Sequence, residues 1–477
     1  MESIQSYINV QLKNEEGDQL GGTLNVPVTT TLKDLQKLCN TLSASNEQVL
    51  YAFFVGENEI RNTLSETLQQ VPSFNCEDVL SVVYQPQAVF RVQPVTRCTS
   101  SMPGHGEPIV SAQFSPNGRY LASGSGDKSV RFWDLSTELP HLTCSGHTHW
   151  VLCIAWRPDG LQLASACKNG HIRIWDPETG QQLGKPLVQH RDYISSVAWE
   201  PLHSNEECRF LASGSKDATI CIWDTVLSKC HLILSGHSAG ITCIRWGGEG
   251  LLYSASQDRT LRVWRTTDGT LCRTLQGHGH WVNTMALHTD YALRTGAFEP
   301  KNAQIVPDAV STDRAHLKSL ATKRYAEAKG SDVERLVSGS DDFTLFLWRP
   351  SVDKKPLARM TGHQQLVNQV MFSPDGRTIA SASFDKSIKL WHGRTGAYLR
   401  SLRAHVQAVY QIAFAADSRL LVSASKDSTL KLWNVREGTL TLDLPGHADE
   451  VYAVDWSPDG QRVVSGGKDK VLRIWRR

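Results

Sequence analysis

The chain has 477 residues, 40% of them hydrophobic and 21% charged, with 50 Lys/Arg against 48 Asp/Glu. That usage belongs to globular proteins and excludes wholesale disorder and a fibrous architecture. No run approaches the roughly 20 apolar residues of a membrane span, and Met1, Glu2 and Ser3 do not begin a signal peptide, so a soluble intracellular protein without a membrane partner is expected. The near-neutral total hides a split. Residues 1–88 hold 4 Lys/Arg and 11 Asp/Glu, and the remainder holds 46 and 37. An acidic head therefore precedes a basic body that suits nucleic acid or an acidic protein surface, although so modest an excess also suits plain solubility.

In chain order, residues 1–87 read as an α+β domain. Ile8 to Leu12 alternates as a strand, Asn14 to Gly22 is a polar turn, and Leu32, Leu35, Leu38 and Leu42 fall at helical spacing. Leu80 to Tyr84 reads as a closing strand. The run Ala52-Phe53-Phe54-Val55-Gly56 followed by Thr63-Leu64-Ser65-Glu66 is similar to a stretch of ubiquitin-like folds. The segment ends in Gln85-Pro86-Gln87 without a Gly-Gly tail, so it is expected to dock proteins and not to be conjugated.

From residue 104 the sequence repeats. Each unit opens on a histidine (His105, His147, His190, His237, His278, His363, His405, His447) and closes on a tryptophan (Trp133, Trp175, Trp223, Trp264, Trp348, Trp391, Trp433, Trp475). The tryptophans are spaced by 42, 48, 41, 84, 43, 42 and 42 residues. Because only His278 falls in the doubled interval, that interval is one unit with an insertion. A period near 42 with Gly-His and Trp-Asp marks resembles the WD40 family, which implies an eight-bladed β-propeller over residues 88–477 and a mostly β fold. The resemblance also implies that His, Ser, Asp and Trp of each unit form a hydrogen-bonded structural chain, as in His105, Ser123, Asp127 and Trp133. Asn169 takes the Asp place in the second unit, and Arg265 follows Trp264. The last unit stops one strand short, and Ala88-Val89-Phe90-Arg91-Val92 is expected to supply it and close the ring.

The insertion spans roughly residues 288–334 and carries a helix from about Asp313 to Lys329, with Leu317, Leu320, Ala321, Tyr325 and Ala328 on one face. Ser311 or Thr312 would cap it and Gly330 would stop it. Its Arg314, Lys318, Lys323, Arg324 and Lys329 leave two readings open: a solvated decoration, or a contact to RNA or an acidic partner.

No catalytic or metal motif survives inspection. The 11 cysteines are odd in number and lack a C-x-x-C pair, which reads as reduced thiols. In Gly124-Ser125-Gly126-Asp127-Lys128-Ser129 a carboxylate stands where a phosphate loop needs glycine. Eight equivalent Ser/His/Asp sets are what a scaffold requires and a unique active site does not, so the protein is expected not to be an enzyme and to hold no cofactor. Function should lie on surfaces. By analogy with propellers, Trp150, Tyr193 and Trp281 together with Lys168, Lys216, Lys426 and Lys468 line one rim, either as partner-binding anchors or as rings packed on neighbouring loops.

The acidic head, Tyr84-Gln85-Pro86-Gln87-Ala88, Arg97-Cys98-Thr99-Ser100-Ser101, the eight units and Tyr291-Ala292-Leu293-Arg294-Thr295-Gly296-Ala297-Phe298 together resemble the Notchless family across essentially the whole chain. That resemblance implies an assembly factor of the large (60S) ribosomal subunit, nucleolar and nucleoplasmic within the nucleus, and a closed ring, with no strand edge to offer a second copy, is expected to be a monomer. The propeller would sit on the pre-60S particle, touching ribosomal proteins and rRNA, while the head binds the metal-site domain of the AAA+ ATPase midasin, which removes it. It further implies that Glu77, with Asp78 the neighbouring alternative, supplies an outside oxygen to a partner-held Mg²⁺, a hard ion that favours carboxylate. A regulator of Notch signalling and a substrate adaptor of a ubiquitin ligase are the other readings.

Overall fold

Each repeat folds as one four-stranded antiparallel sheet. The computed structural model of the protein describes residues 7–14, 18–42, 51–55, 58–60, 62–68, 79–86, 92–298 and 314–477. It contains eight such sheets, numbered here 1 to 8 in chain order, and divides into two compact units, Met1–Arg91 and Val92–Arg477.

Sheet 1 illustrates how the repeat is written. Its strands are Ile109–Phe114, Tyr120–Ser125, Ser129–Asp134 and Leu139–Ser145. The second strand is buried from Leu121 to Ser125, so only small or apolar side chains fit. A Cβ added to Gly124 would lie 2.8 Å from Val151 Cγ1 of sheet 2, which explains the small-residue run there. The third strand carries the buried Trp133 next to its last residue, and the fourth, which buries only Cys144, is mostly exposed. Successive first strands pack on one another around the ring, and Val451–Trp456 of sheet 8 returns to Ile109–Phe114 of sheet 1. The cores lie between sheets: Ile109, Phe114, Leu121 and Trp133 of sheet 1 pack with Val464, Leu472 and Ile474 of sheet 8.

Ring closure corrects one expectation. The outer strand of sheet 8 is Arg97–Pro103, paired with Val471–Arg476 so that Ser100 faces Ile474 and Cys98 faces Trp475. The apolar alternation of residues 88–92 pointed to the wrong segment because an outer strand is mostly solvated, and only Met102 of Arg97–Pro103 is buried. Residues 88–91 lie outside the described residues. Val92 is buried and its N–H donates to Asp417 Oδ2 at 2.8 Å.

In sheet 5 the insertion separates Val282–Leu287 from Leu336–Ser340. It opens with a short helix, Asp290–Thr295, which the sequence pattern had not indicated, and continues in Arg314–Lys329, close to the expected helix. Gly330 follows with φ +66°, the left-handed stop a glycine supplies. Ser311, Thr312 and Asp313 lie outside the described residues.

The first unit has strands Tyr7–Lys13, Leu24–Pro27, Tyr51–Val55, Asn58–Glu59 and Leu80–Pro86 in one five-stranded sheet. The first strand pairs parallel with the last. The helix Leu32–Leu42 buries Leu35 and Cys39 in the core formed by Ile8, Val10, Leu12, Phe53 and Val82. A second, five-residue helix is Leu64–Leu68.

Candidate functional site

Strand alternation puts two kinds of loop at opposite ends of the sheets. The loops that enter each first strand and the turns between second and third strands share one rim, and the insertion, between a first and a second strand, lies at the other.

On the first rim His105 Nδ1 meets Asp127 Oδ2 at 2.8 Å, His105 Nε2 meets Ser123 Oγ at 2.8 Å, and Trp133 Nε1 donates to Ser123 Oγ at 2.9 Å. Asp127 also accepts the Ser129 N–H and hydroxyl, at 2.9 and 2.6 Å, which pins a turn whose Lys128 sits at φ +68°. Burial raises the Asp127 pKa, and the hydrogen bonds from His105 and Ser129 more than reverse it, holding the carboxyl well below its ordinary range. The same chain recurs with Asp217, Asp258, Asp342, Asp385, Asp427 and Asp469. Every polar group so used is one that sheet packing buries, which is a scaffold's chemistry.

The rim residues singled out from sequence lie above these networks. The backbone N–H groups of Lys168 and Lys216 donate to the carbonyls of Trp150 and Tyr193, at 2.9 and 3.0 Å, so each lysine stands beside the residue that enters the first strand. Trp150 and Trp281 are 41% and 45% exposed, whereas Tyr193 is half-buried. Lys216 Nζ donates to Gln257 and lies 5.7 Å from the Trp281 ring. Lys426 faces Glu450 at 3.9 Å and Lys468 faces Asp449 at 3.3 Å. The seven residues do not form one cluster: Lys216 joins Tyr193 and Trp281, whereas Trp150 and Lys468 line a common opening. At the ring's centre sequence reasoning had singled out Trp150 and Lys468 but not the rest of the lining. There an opening of about 630 Å³ is lined by Pro108, Val110, Trp150, Asn368, Tyr410 and Tyr452 among others. Tyr410 and Tyr452 both donate to Glu450 Oε2, at 3.0 and 3.2 Å. Their place as the second residue of a first strand, facing the ring's axis instead of a core, was the available signal.

At the other rim the insertion is docked on the ring. Leu317 and Ala321 are buried against Leu202, Cys208 and Ala297. Tyr325 stacks on His203 with centroids 4.1 Å apart and donates to Glu334 Oε1 at 3.0 Å. The buried Glu334 also accepts from Gly248 N–H (2.8 Å), Thr289 Oγ1 (3.1 Å) and Tyr253 (3.2 Å); burial raises its pKa against the lowering pull of these hydrogen bonds. Arg324 donates to the carbonyls of Gly296 and Phe298, both at 2.6 Å, and Lys329 pairs with Glu249 at 2.7 Å. Arg324 is thus engaged within the insertion and Lys329 by the ring, whereas Arg314 and Lys323 remain exposed. Glu77 and Asp78 lie outside the described residues.

Comparison with known proteins follows this division. The NLE (NUC135) domain matches residues 8–68, and the WD domain, G-beta repeat, matches 96–134, 139–176, 180–224, 228–265, 354–392, 396–434 and 438–476. The unmatched interval contains the insertion. The chain is 54% identical over 369 residues to Protein Notchless of Drosophila melanogaster, covering 77% of this chain and 75% of that one. It is 50% identical over 392 residues to the Notchless protein homolog of Arabidopsis thaliana (82% and 81%). To Ribosome assembly protein 4 of Saccharomyces cerevisiae it is 46% identical over 413 residues (82% and 79%). The crystal structure of a computationally designed protein matches 80% of this chain and 100% of its own, with TM-score 0.63 and 25% identity.

Proposed function

Since the chain belongs to the Notchless family of WD40 proteins, whose fungal members are named Ribosome assembly protein 4, we propose that it is a non-enzymatic assembly factor of the large (60S) ribosomal subunit. The observation that carries this is the match over 82% of the chain to a relative of that name, together with the NLE and WD domain matches to head and ring. The eight sheets are read as the blades of a WD40 propeller, and the first unit as a ubiquitin-like head. The propeller docks on the nuclear and nucleolar pre-60S particle, contacting ribosomal proteins and rRNA through the rim of Trp150, Tyr193, Trp281, Lys168, Lys216, Lys426 and Lys468. Exposed tryptophans beside lysines support that role, because large rings make binding anchors and lysines suit an anionic surface.

The head engages a midasin-type AAA+ ATPase, with Glu77 offering one carboxylate oxygen to Mg²⁺ held by that partner. Glu77→Ala should abolish head binding, and Glu77→Asp should weaken it severely, because Mg²⁺ tolerates little departure from its roughly 2.1 Å bond. Chelation should mimic both. Depletion followed by sucrose-gradient profiling tests the whole reading: accumulation of large-subunit precursors is expected, and a normal 60S level would sink it. A role in Notch signalling stands second, resting on the name of the Drosophila relative alone.

A further inference from the structure

Seven of the eight histidine networks are complete, and sheet 2 is not. In the seven, one carboxylate oxygen meets His Nδ1 at 2.7–3.0 Å. The same oxygen accepts the backbone N–H of the residue after the histidine, at 2.7–3.3 Å, in Gly106, Arg191, Ser238, Gly279, Gln364, Val406 and Ala448. Each such carboxylate is only 5–15% exposed. The arrangement is a carboxylate seat made of one ring N–H and one backbone N–H.

In sheet 2 the donors stand without the carboxylate. Asn169 occupies the Asp position, but its side chain is exposed and its amide donates to Thr148 Oγ1 at 2.9 Å. His147 keeps its Ser165 partner at 2.6 Å and is 6% exposed, yet its Nδ1 is a buried atom with no hydrogen-bond partner. The Thr148 N–H, equivalent to the seven donors above, has no carboxylate to meet. A buried polar atom left unpaired costs about 1–3 kcal/mol, and on the tautomer that the seven carboxylates impose, with the proton on Nδ1, that atom is a donor without an acceptor. The surroundings are positive: Arg173 and His171 bear on His147, and Lys168 is exposed beside Asn169. Burial, and after it those two neighbours, hold the His147 pKa down at about 3, so the ring is neutral when it meets a ligand. Trp150, on the same loop, supplies an exposed apolar surface at the edge of the seat.

We propose that this seat, which lacks its own carboxylate, is a docking site for an aspartate or glutamate side chain of a partner protein, whose carboxylate completes the sheet 2 network in trans through His147 Nδ1 and the Thr148 N–H. The seat commits to a carboxylate because its seven copies hold one in the same donor pair. The inference is independent of the ribosomal reading above, since it names a chemistry and not a particle.

The test uses full-length protein with ¹⁵N-labelled histidine rings, titrated with sodium acetate against sodium chloride of equal ionic strength. The His147 Nδ1–H resonance, identified as the one altered in Asn169→Asp, should move saturably with acetate while the other seven network histidines stay still. In Asn169→Asp, where the seat is filled in cis, acetate should move none of them. An unmoved His147 resonance, or an equal shift in Asn169→Asp, would overturn the proposal. Movement with inorganic phosphate but not with acetate would also overturn it, by making the seat a phosphate site.

Discussion

On one rim of the ring eight histidines sit on eight serines at 2.6–2.8 Å, each the copy of its neighbour. On the other, the insertion makes contacts that occur once. Arg294 pairs with Asp455 of sheet 8 at 3.0 Å, and the second oxygen of Asp455 accepts the Phe114 N–H of sheet 1 at 2.9 Å. Asp290 meets Arg245 of sheet 4 at 3.3 Å, and Arg335, at the insertion's end, donates to the Gly393 carbonyl of sheet 6 at 2.8 Å. Repeated contacts hold each sheet to itself, whereas the insertion, part of sheet 5, reaches the flanking sheets 4 and 6 and, across the ring, sheet 8. The difference teaches that a defect on the first rim should stay local, while a defect on the second should be felt across the ring.

The largest effect expected is on the repeated side. Trp433→Ala removes a buried ring and the donor to Ser423 Oγ, and should cost about 3–5 kcal/mol in denaturant unfolding of the full chain. Hydrogen exchange should show the loss concentrated in sheet 7 and the sheets flanking it; uniform loss around the ring would break the contrast. Next, Glu334→Ala strips one acceptor from Tyr253, Tyr325, Thr289 and Gly248 together, for about 2–3 kcal/mol. Here exchange should accelerate in 314–329 and in sheet 4, and unchanged protection of that helix would remove Glu334 as its latch. Smaller again, Arg294→Ala should cost about 1–2 kcal/mol, since the guanidinium is one-third exposed and screened while Asp455 stays buried. A double-mutant cycle with Asp455→Asn isolates the cross-ring term, and a coupling near zero would show that the pair does not brace the ring.

These two rims were unequally legible in the sequence. Periodicity revealed the network residues because a repeat states the same rule eight times, and even the exception at Asn169 stood out against it. The helix of the insertion could be read from Leu317, Leu320, Ala321 and Tyr325, but not the surface it packs on, because Leu202, His203 and Gly248 are distant in sequence and appear once. For the same reason the basic residues Arg324 and Lys329 looked available for a partner although the insertion's own carbonyls hold the first and Glu249 of the ring the second. The closing strand was misplaced because apolar alternation marks a half-buried strand, and Arg97–Pro103 is mostly solvated. Tyr410 and Tyr452 were overlooked since they face the axis, a direction with no counterpart in a sheet-packing pattern.

The smallest expected effect sharpens the contrast within the first rim. His147 is the network histidine without a carboxylate, and its folded pKa of about 3 lies below the roughly 6.5 of an unfolded histidine. The unfolded state therefore takes up the proton first as pH falls, so the stability contributed by the neutral, buried ring is complete above about pH 6.5 and declines as pH drops toward 3. Asn169→Asp places a carboxylate on Nδ1, which stabilises the protonated ring and should lift that decline. At pH 8 the substitution should add about 1 kcal/mol or less, from one satisfied ring N–H and one satisfied backbone N–H against the burial of a charge. The advantage over the wild type should widen between pH 6.5 and pH 4, where the wild type's histidine takes up a proton on unfolding but not in the fold, and the new carboxylate, held low like Asp127, is still ionised. Urea unfolding of both proteins at pH 8, 6 and 4.5 measures this directly. Parallel stability curves would mean that His147 does not feel the missing partner, and the distinction between sheet 2 and the other seven would then be one of sequence only.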